Sequence, residues 1–133
     1  MTIIASETLS IDIAAPRESV WKLITRARTI PSWYDGWNEV IDVPENDELA
    51  VGARFTLVDS RGTRTRRAKC RVLVVVPQTQ LTWTETEYGE FPKTVEFSLS
   101  AVDPRSSRLT LSKYVDLANI EDDRKRNSDT HWA

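Results

Sequence analysis

The chain has 133 residues, of which 40% are hydrophobic and 29% charged, and its net charge is −2. This length supports one hydrophobic core and leaves no room for a second, so we expect residues 1–133 to form a single domain. The small net charge excludes a strong general attraction to nucleic acid or acidic membranes. Cys70 is the only cysteine, which excludes an internal disulfide and is typical of a reducing compartment.

The sequence also indicates where the protein resides. Residues 1–16 contain neither a basic segment nor a long apolar segment, which argues against a signal peptide. No apolar run approaches the roughly 20 residues of a membrane-spanning helix. We therefore expect a cytoplasmic protein with no membrane span.

The N-terminal segment predicts a strand followed by a helix. Apolar and polar residues alternate over residues 7–13, as in a half-buried strand. Pro16 ends this strand and suits the first turn of a helix. The apolar stripe predicted for the helix consists of Val20, Trp21, Ile24 and Ala27.

A second, short helix is predicted next. We expect Thr29 to cap it, with Pro31 in its opening turn. Asp35-Gly36 is a strong breaker, so the helix is expected to end there.

The rest of the chain alternates as β-sheet. Short connections rich in turn-forming residues separate the strands and favour antiparallel pairing. The last of these connections is predicted as a five-residue loop over Asp103–Ser107. The six predicted strands are Asn38–Val43, Ala53–Ser60, Arg64–Val76, Gln80–Glu87, Lys93–Val102 and Arg108–Leu117.

The C-terminal segment is different in character. Ile120–Ala133 is strongly polar, and its last three residues read as the opening of an amphipathic helix. A curved sheet with one apolar face needs a cover, which two short helices are too small to supply. We therefore expect a long C-terminal helix here, most of it beyond Ala133.

Four segments resemble the START-like superfamily, also called SRPBCC. They are IDIAAPRESVWKLIT, TIPSWYDGW, QLTWTETE and KTVEFSLSAVDPRSSRLTLSKYVDL, within roughly residues 5–117. The most similar groups are the polyketide cyclase/dehydrase-like proteins and the activators of the heat-shock chaperone ATPase. The resemblance implies an α+β helix-grip fold, in which a curved seven-stranded antiparallel sheet with two short helices grips a C-terminal helix. It also implies a hydrophobic tunnel that binds lipids, hormones, polyketides or other apolar molecules, with catalysis in a minority of members.

Three tryptophans are candidate ligand contacts. Trp33 and Trp37 lie near the tunnel mouth in the implied fold. Trp83 lies on the apolar face of its predicted strand, where cavity wall and plain core are equally good interpretations. Trp21, by contrast, is interpreted as core between helix and sheet.

Polar candidates complete the predicted ligand-binding set. Glu85 shares the face of Trp83, and Asp35 follows Trp33, so either carboxylate could reach the cavity as a general acid or base. Tyr114 or Tyr34 could donate a hydrogen bond to a ligand carbonyl. The predicted binding residues are Trp33, Asp35, Trp37, Trp83, Glu85 and Tyr114.

The basic segment over residues 61–71 is interpreted as a solvated outer face. Alternation places Arg67, Lys69 and Arg71 on one side of the strand and Ala68, Cys70, Val72 and Val74 on the other. The segment contains no aromatic residue on which bases could stack, so we expect no nucleic-acid partner. Its bases could pair across the sheet with Glu85, Glu87 and Glu96, and each pair would contribute little.

Other chemistry has weak support. Cys70 lies on an apolar face without a partner base and reads as a small buried hydrophobe. His131 is the only histidine, and no spacing resembles a metal site, so we expect neither metal nor cofactor.

Three hypotheses follow for function. The first is a module that binds a small apolar molecule without changing it. The second is a polyketide cyclase or aromatase that acts on a poly-ketone in the same cavity, and a set of polar groups converging deep in that cavity would favour it. The third and weakest is a co-chaperone-like module that binds another protein and would need an exposed apolar patch.

Overall fold

The computed structural model describes residues 3–116, with side chains described for residues 7–115. Two short α-helices follow the first strand, and a single 3-10 turn, Ala27–Thr29, lies between them. The predicted order of one strand, two short helices and six strands is confirmed. The expected C-terminal helix lies outside the described residues. The elements are β1 (Ile3–Ile13), α1 (Arg17–Ile24), α2 (Ile30–Trp33), β2 (Glu39–Ile41), β3 (Arg54–Asp59), β4 (Arg66–Val76), β5 (Gln80–Glu87), β6 (Lys93–Asp103) and β7 (Ser106–Asp116).

The seven strands form one sheet in the order β1-β7-β6-β5-β4-β3-β2. Every neighbouring pair is antiparallel. Six of the strands follow one another as in a meander, whereas β1 joins the far edge beside the last strand. The seven-stranded antiparallel sheet with two short helices confirms the fold class expected from the sequence.

One face of the sheet packs against the helices. We call it the inner face and define it as the face that carries Trp83, which contacts residues of α2. Val20 and Ile24 of α1 are buried against it, as their spacing predicts, whereas Trp21 is only half-buried. Ala27 is also buried, but α1 ends at Ile24 and Ala27 begins the 3-10 turn, so its predicted place in the first helix is wrong. The hydrophobic core therefore lies between the inner face and the helical segment.

The first turn of each helix differs in detail from the prediction. Pro16 has an extended backbone and stands as the N-cap residue, one position before α1. Thr29 stands at the N-cap position of α2, as predicted, but its backbone is itself helical and its side chain makes no cap hydrogen bond. Its hydroxyl instead lies 2.6 Å from the carbonyl oxygen of Leu23 and 2.9 Å from that of Arg26. Pro31 occupies the opening turn of α2, as predicted.

A β-bulge in β4 changes which residues face the core. The pairing of β4 with β5 shifts between Val72 and Val74. Ala68, Cys70 and Val72 are buried as predicted, but Val74 is 36% exposed, so its predicted place on the same face is wrong. The extra residue reverses the alternation, because a shift of one residue moves each following side chain to the other face.

The connection between β6 and β7 is tighter than predicted. The two strands remain paired up to Asp103 and Ser106, so a two-residue turn replaces the expected five-residue loop. The carboxylate of Asp103 accepts a hydrogen bond from the backbone N–H of Arg105 at 2.7 Å, which satisfies the turn locally.

The β1 edge of the inner face is more open than its centre. Leu9 lies opposite Leu111, and Ile11 lies opposite Leu109, so both β1 residues belong to the inner face. Each is nevertheless 57% exposed. No helix among the described residues is long and apolar enough to cross a membrane.

Candidate functional site

Strand pairing gathers a small group of residues on the inner face. Trp83 lies opposite Val95, which lies opposite Lys113 on β7. Two residues further along β5, Glu85 lies opposite Cys70. Residues directly opposite one another project from the same side of a sheet, and so do residues two apart on a strand. Charged and apolar side chains therefore share the middle of this face.

Five aromatic rings form a cluster at its centre. Trp83 is fully buried, with its ring centroid 4.8 Å from that of Phe97 and 5.1 Å from that of Phe55. From the helical side, Tyr34 meets Trp83 edge-on at 5.6 Å and Trp33 meets Phe97 edge-on at 5.2 Å. Offset and edge-on pairs of this kind are the favoured aromatic geometries. We call Trp33, Tyr34, Phe55, Trp83 and Phe97 the aromatic cluster.

A buried carboxylate lies against this cluster. Glu85 is only 4% exposed. The hydroxyl of Tyr34 donates a hydrogen bond to its Oε1 at 3.0 Å, and the indole Nε1 of Trp83 donates to the same oxygen at 3.4 Å. Among the described residues, its second oxygen, Oε2, accepts no hydrogen bond.

Tyr34 is surrounded by charge. Burial and the negative charge of Glu85 raise the pKa of the Tyr34 hydroxyl well above its usual range. On the ring face, Nζ of Lys113 lies 4.7 Å from the ring centroid, a cation–π contact. Tyr34 therefore keeps its proton and contacts both a carboxylate and an ammonium group.

Cys70 is part of the same group but is a poor nucleophile. Burial and the charge of Glu85 raise the pKa of its thiol well above the ordinary value. Its Sγ lies 3.8 Å from the carbonyl oxygen of Ala68, a weak contact. Because the thiolate is the reactive form, this environment fits the expected role of a small buried hydrophobe.

Trp37 occupies a different corner of the inner face. It is 4% exposed, and the guanidinium of Arg66 lies 4.7 Å above its ring. Arg66 also reaches Asp59 at 3.5 Å and Glu87 at 3.0 Å. Of the three carboxylates expected to pair with the basic segment, Glu87 does so. Glu85 instead faces the aromatic cluster, and Glu96 accepts a hydrogen bond from Gln80 at 3.1 Å.

The structure brings together only some of the predicted site residues. Trp33, Trp83 and Glu85 meet in and beside the aromatic cluster. Asp35 is exposed, just after the end of α2. Tyr114 lies opposite Thr94, in the row that alternates with Val95 and Lys113, so it belongs to the outer face. We therefore leave Asp35 and Tyr114 out of the candidate site.

Two members of the site were not in the predicted set. They are Tyr34, which the sequence offers only as an alternative hydrogen-bond donor to Tyr114, and Lys113. The sequence does contain a signal for Lys113. Leu109 and Leu111 alternate along β7, and continuing that alternation places Lys113 on the inner face. A lysine in a strand is ordinarily interpreted as facing solvent, which hides this signal.

The described residues offer no obvious metal centre. Among them, no group of three or more histidine, cysteine, aspartate or glutamate side chains is placed to hold an ion. The site as described is an apolar surface with a carboxylate, a phenol, an indole N–H and an ammonium group.

Comparison with known proteins places the chain in a family. The family model described as Activator of Hsp90 ATPase homolog 1-like protein matches residues 14–133. The chain belongs to this family. The START-like resemblance of the sequence is thereby confirmed, together with the group of chaperone-ATPase activators named with it. No curated protein matches the sequence significantly.

Solved structures share the fold of this family member at low sequence identity. Protein MLL2253 from Mesorhizobium loti is 20% identical with a TM-score of 0.68, over 92% of this chain and 85% of that one. The Zhui aromatase/cyclase from Streptomyces sp. R1128 is 14% identical with a TM-score of 0.67, over 84% and 67%. A START superfamily protein from Mycobacterium smegmatis is 12% identical with a TM-score of 0.66, over 84% and 76%. At these identities the likeness establishes the fold alone.

Proposed function

We propose that the protein binds a small apolar molecule against the inner face of its sheet, without changing it chemically. The observation that carries this proposal is the contact between the aromatic cluster and the buried carboxylate of Glu85. Binding sites for small molecules are mostly apolar and contain a few polar groups that orient the ligand. The START-like fold supports the same proposal, because many of its members hold apolar molecules in this region.

Trp33 is the aromatic side chain best placed to contact a ligand. It is half-buried, whereas Trp83 and Phe97 behind it are at most 2% exposed. A ligand that approaches the cluster from solvent would therefore meet Trp33 first. Trp21 provides a matched control, since it is also half-buried on the helical segment and packs against the core at another position.

Native mass spectrometry tests the proposal directly. The protein is purified gently from its own host, and its mass is measured before and after denaturing extraction. We expect an apolar molecule of defined mass to be released, and we expect Trp33→Leu to retain much less of it than Trp21→Leu. A protein that carries no such molecule, and whose thermal stability no lipid or polyketide changes, would overturn the proposal.

A second candidate function is a cyclase or aromatase that acts on a poly-ketone chain. The specific observation in its favour is that Glu85, Tyr34 and Lys113 converge on the inner face. A carboxylate could remove a proton next to a ketone, and an ammonium group could stabilise the resulting enolate oxygen. Mass spectrometry of the protein incubated with a linear poly-ketone would report this activity as loss of water.

Two further expectations from the sequence concern the location of the protein and an alternative protein partner. A cytoplasmic location is consistent with the single free cysteine. The co-chaperone-like hypothesis stays a prediction, and a protein that binds no small molecule would direct attention to it. In that case the partner to test first is a chaperone ATPase, the activity named in the family description.

A further inference from the structure

We propose that Oε2 of Glu85 accepts a hydrogen bond from a hydroxyl group of the ligand, an inference that rests on the proposed function. The ligand would then be a planar apolar molecule that carries at least one hydroxyl group.

The two oxygens of Glu85 differ in their hydrogen bonding. Tyr34 and Trp83 both donate to Oε1, so two donors crowd one oxygen of the carboxylate. Oε2 accepts no hydrogen bond from the described residues, although Glu85 is only 4% exposed. A buried acceptor without a donor is costly, which makes this oxygen the natural place for a ligand donor.

The ammonium group of Lys113 limits which donor on the ligand suits Glu85. Lys113 lies on the same inner face and contacts the ring of Tyr34 at 4.7 Å. An ammonium group on the ligand has no acceptor atom, so it could bond to Glu85 but would offer nothing to Lys113. A hydroxyl also has an acceptor oxygen, which can face Lys113 while its proton faces Glu85.

The aromatic cluster indicates the shape of the apolar part of the ligand. Two members of the aromatic cluster, Tyr34 and Trp83, donate to Glu85, and rings of the cluster pack edge against face, such as Tyr34 and Trp83 at 82°. Such surfaces favour planar unsaturated molecules, which can add further edge-on or offset contacts. The combination of an aromatic wall and one open acceptor defines a phenol-like ligand.

The test uses phenol, 2-naphthol and 2-hydroxyanthracene, each with its methyl ether. The ether keeps the ring system and the oxygen but has no proton to donate. Binding is measured by quenching of tryptophan fluorescence for wild type, Glu85→Gln and Glu96→Gln. Glu96 is the matched control because it lies on the outer face, opposite Thr82, where its carboxylate contacts Gln80.

We expect wild type and Glu96→Gln to bind the best phenol about tenfold more tightly than its ether. Glu85→Gln should lose or reverse this preference. Its carbonyl oxygen can still accept from Tyr34 and Trp83, which leaves an amide NH₂ donor where Oε2 was. The extra bulk of the ether is the same for every variant, so the change in preference isolates the hydrogen bond.

The possible outcomes separate this inference from the proposed function. The same preference in wild type and Glu85→Gln, with both compounds bound, would overturn the inference and leave the proposed function standing. If no compound of any size binds but native mass spectrometry still releases an apolar molecule, the inference alone is overturned. If no such molecule is released either, the proposed function fails with it. Should Glu85→Gln not fold, as judged by circular dichroism, the affinity of wild type for each phenol is compared with its affinity for the parent hydrocarbon. A hydrocarbon that binds as tightly as the phenol would then overturn the inference.

Discussion

At the scale of single residues, Trp83 joins the apolar and polar parts of the site. Its ring packs between Phe55 and Phe97, and its indole N–H points to the carboxylate of Glu85. The two interpretations left open by the sequence, cavity wall and plain core, are therefore compatible for this residue. One side chain contributes to the stability of the sheet and to the surface that we propose for the ligand.

Replacing Trp83 with alanine should lower the free energy of unfolding by about 3–5 kcal/mol, because a fully buried indole leaves a cavity behind. The same variant should bind the ligand more weakly. Urea denaturation measures the first effect, and Trp21→Ala at a half-buried position should show a smaller loss. Unchanged stability together with unchanged binding would exclude Trp83 from both the core and the site.

Tyr34 gives the protein a specific response to alkaline pH. Its pKa is raised in the folded state by burial and by Glu85, so the folded protein retains the proton after the unfolded chain has released it. Stability from this group is therefore complete below the unfolded pKa of about 10 and falls as the pH rises above it. Tyr34 can contribute at most about 1.4 kcal/mol per pH unit to the slope of the unfolding free energy against pH.

We expect Tyr34→Phe to show a shallower loss of unfolding free energy above about pH 10 than wild type. The measurement is a series of urea denaturation curves between neutral and alkaline pH. Tyr88→Phe is the control, since Tyr88 is 87% exposed, and its slope should match that of wild type. Equal slopes for all three proteins would show that Tyr34 is not held in its protonated form by the fold.

At the scale of elements, the two faces of β4 differ: one packs into the core and the other is exposed to solvent. Up to the bulge, its inward residues are buried, and Arg67, Lys69 and Arg71 are exposed on the outer face. Arg66, at the start of the strand, is the exception because it reaches Asp59, Glu87 and the ring of Trp37. Arg61, at the start of the basic segment, is also held by Asp59 at 2.9 Å, so the segment mixes exposed charges with anchored guanidinium groups.

Replacing Arg67, Lys69 and Arg71 together with glutamine should change the free energy of unfolding by less than about 1 kcal/mol, because exposed charges contribute little. Thermal denaturation provides the measurement. The comparison variant is Arg66→Gln, which should cost more than any one of the three because it removes several contacts at once. A large loss for the triple variant would mean that these side chains do not simply face solvent.

At the scale of the whole molecule, alternation predicted the strands well but did not predict how they assemble. Each strand leaves a local signal, because one face is buried and the other is not. The position of β1 beside β7 depends on contacts far apart in sequence, and it was implied only by the resemblance to a family. Glu85 was placed correctly because Trp83, two residues away, fixes the phase of β5.

The parts of the site that sequence reasoning missed have physical reasons. Tyr114 and Lys113 are neighbours on β7, and the prediction of Tyr114 rests on its hydroxyl alone, not on the phase of its strand. The register reverses this choice. The bulge after Val72 was equally invisible, since it changes pairing without any glycine or proline to mark it.

The place of β1 in the sheet has a consequence for how the nascent chain folds on the ribosome. Its partner β7 begins only at Ser106, so β1 waits while the intervening chain is translated. At about 5–20 residues per second this interval is on the order of 5–20 seconds. Throughout that time the inner-face residues Leu9, Ile11 and Ile13 have no strand to pair with. The newly made β1 therefore stays unpaired for longer than any other strand of the sheet.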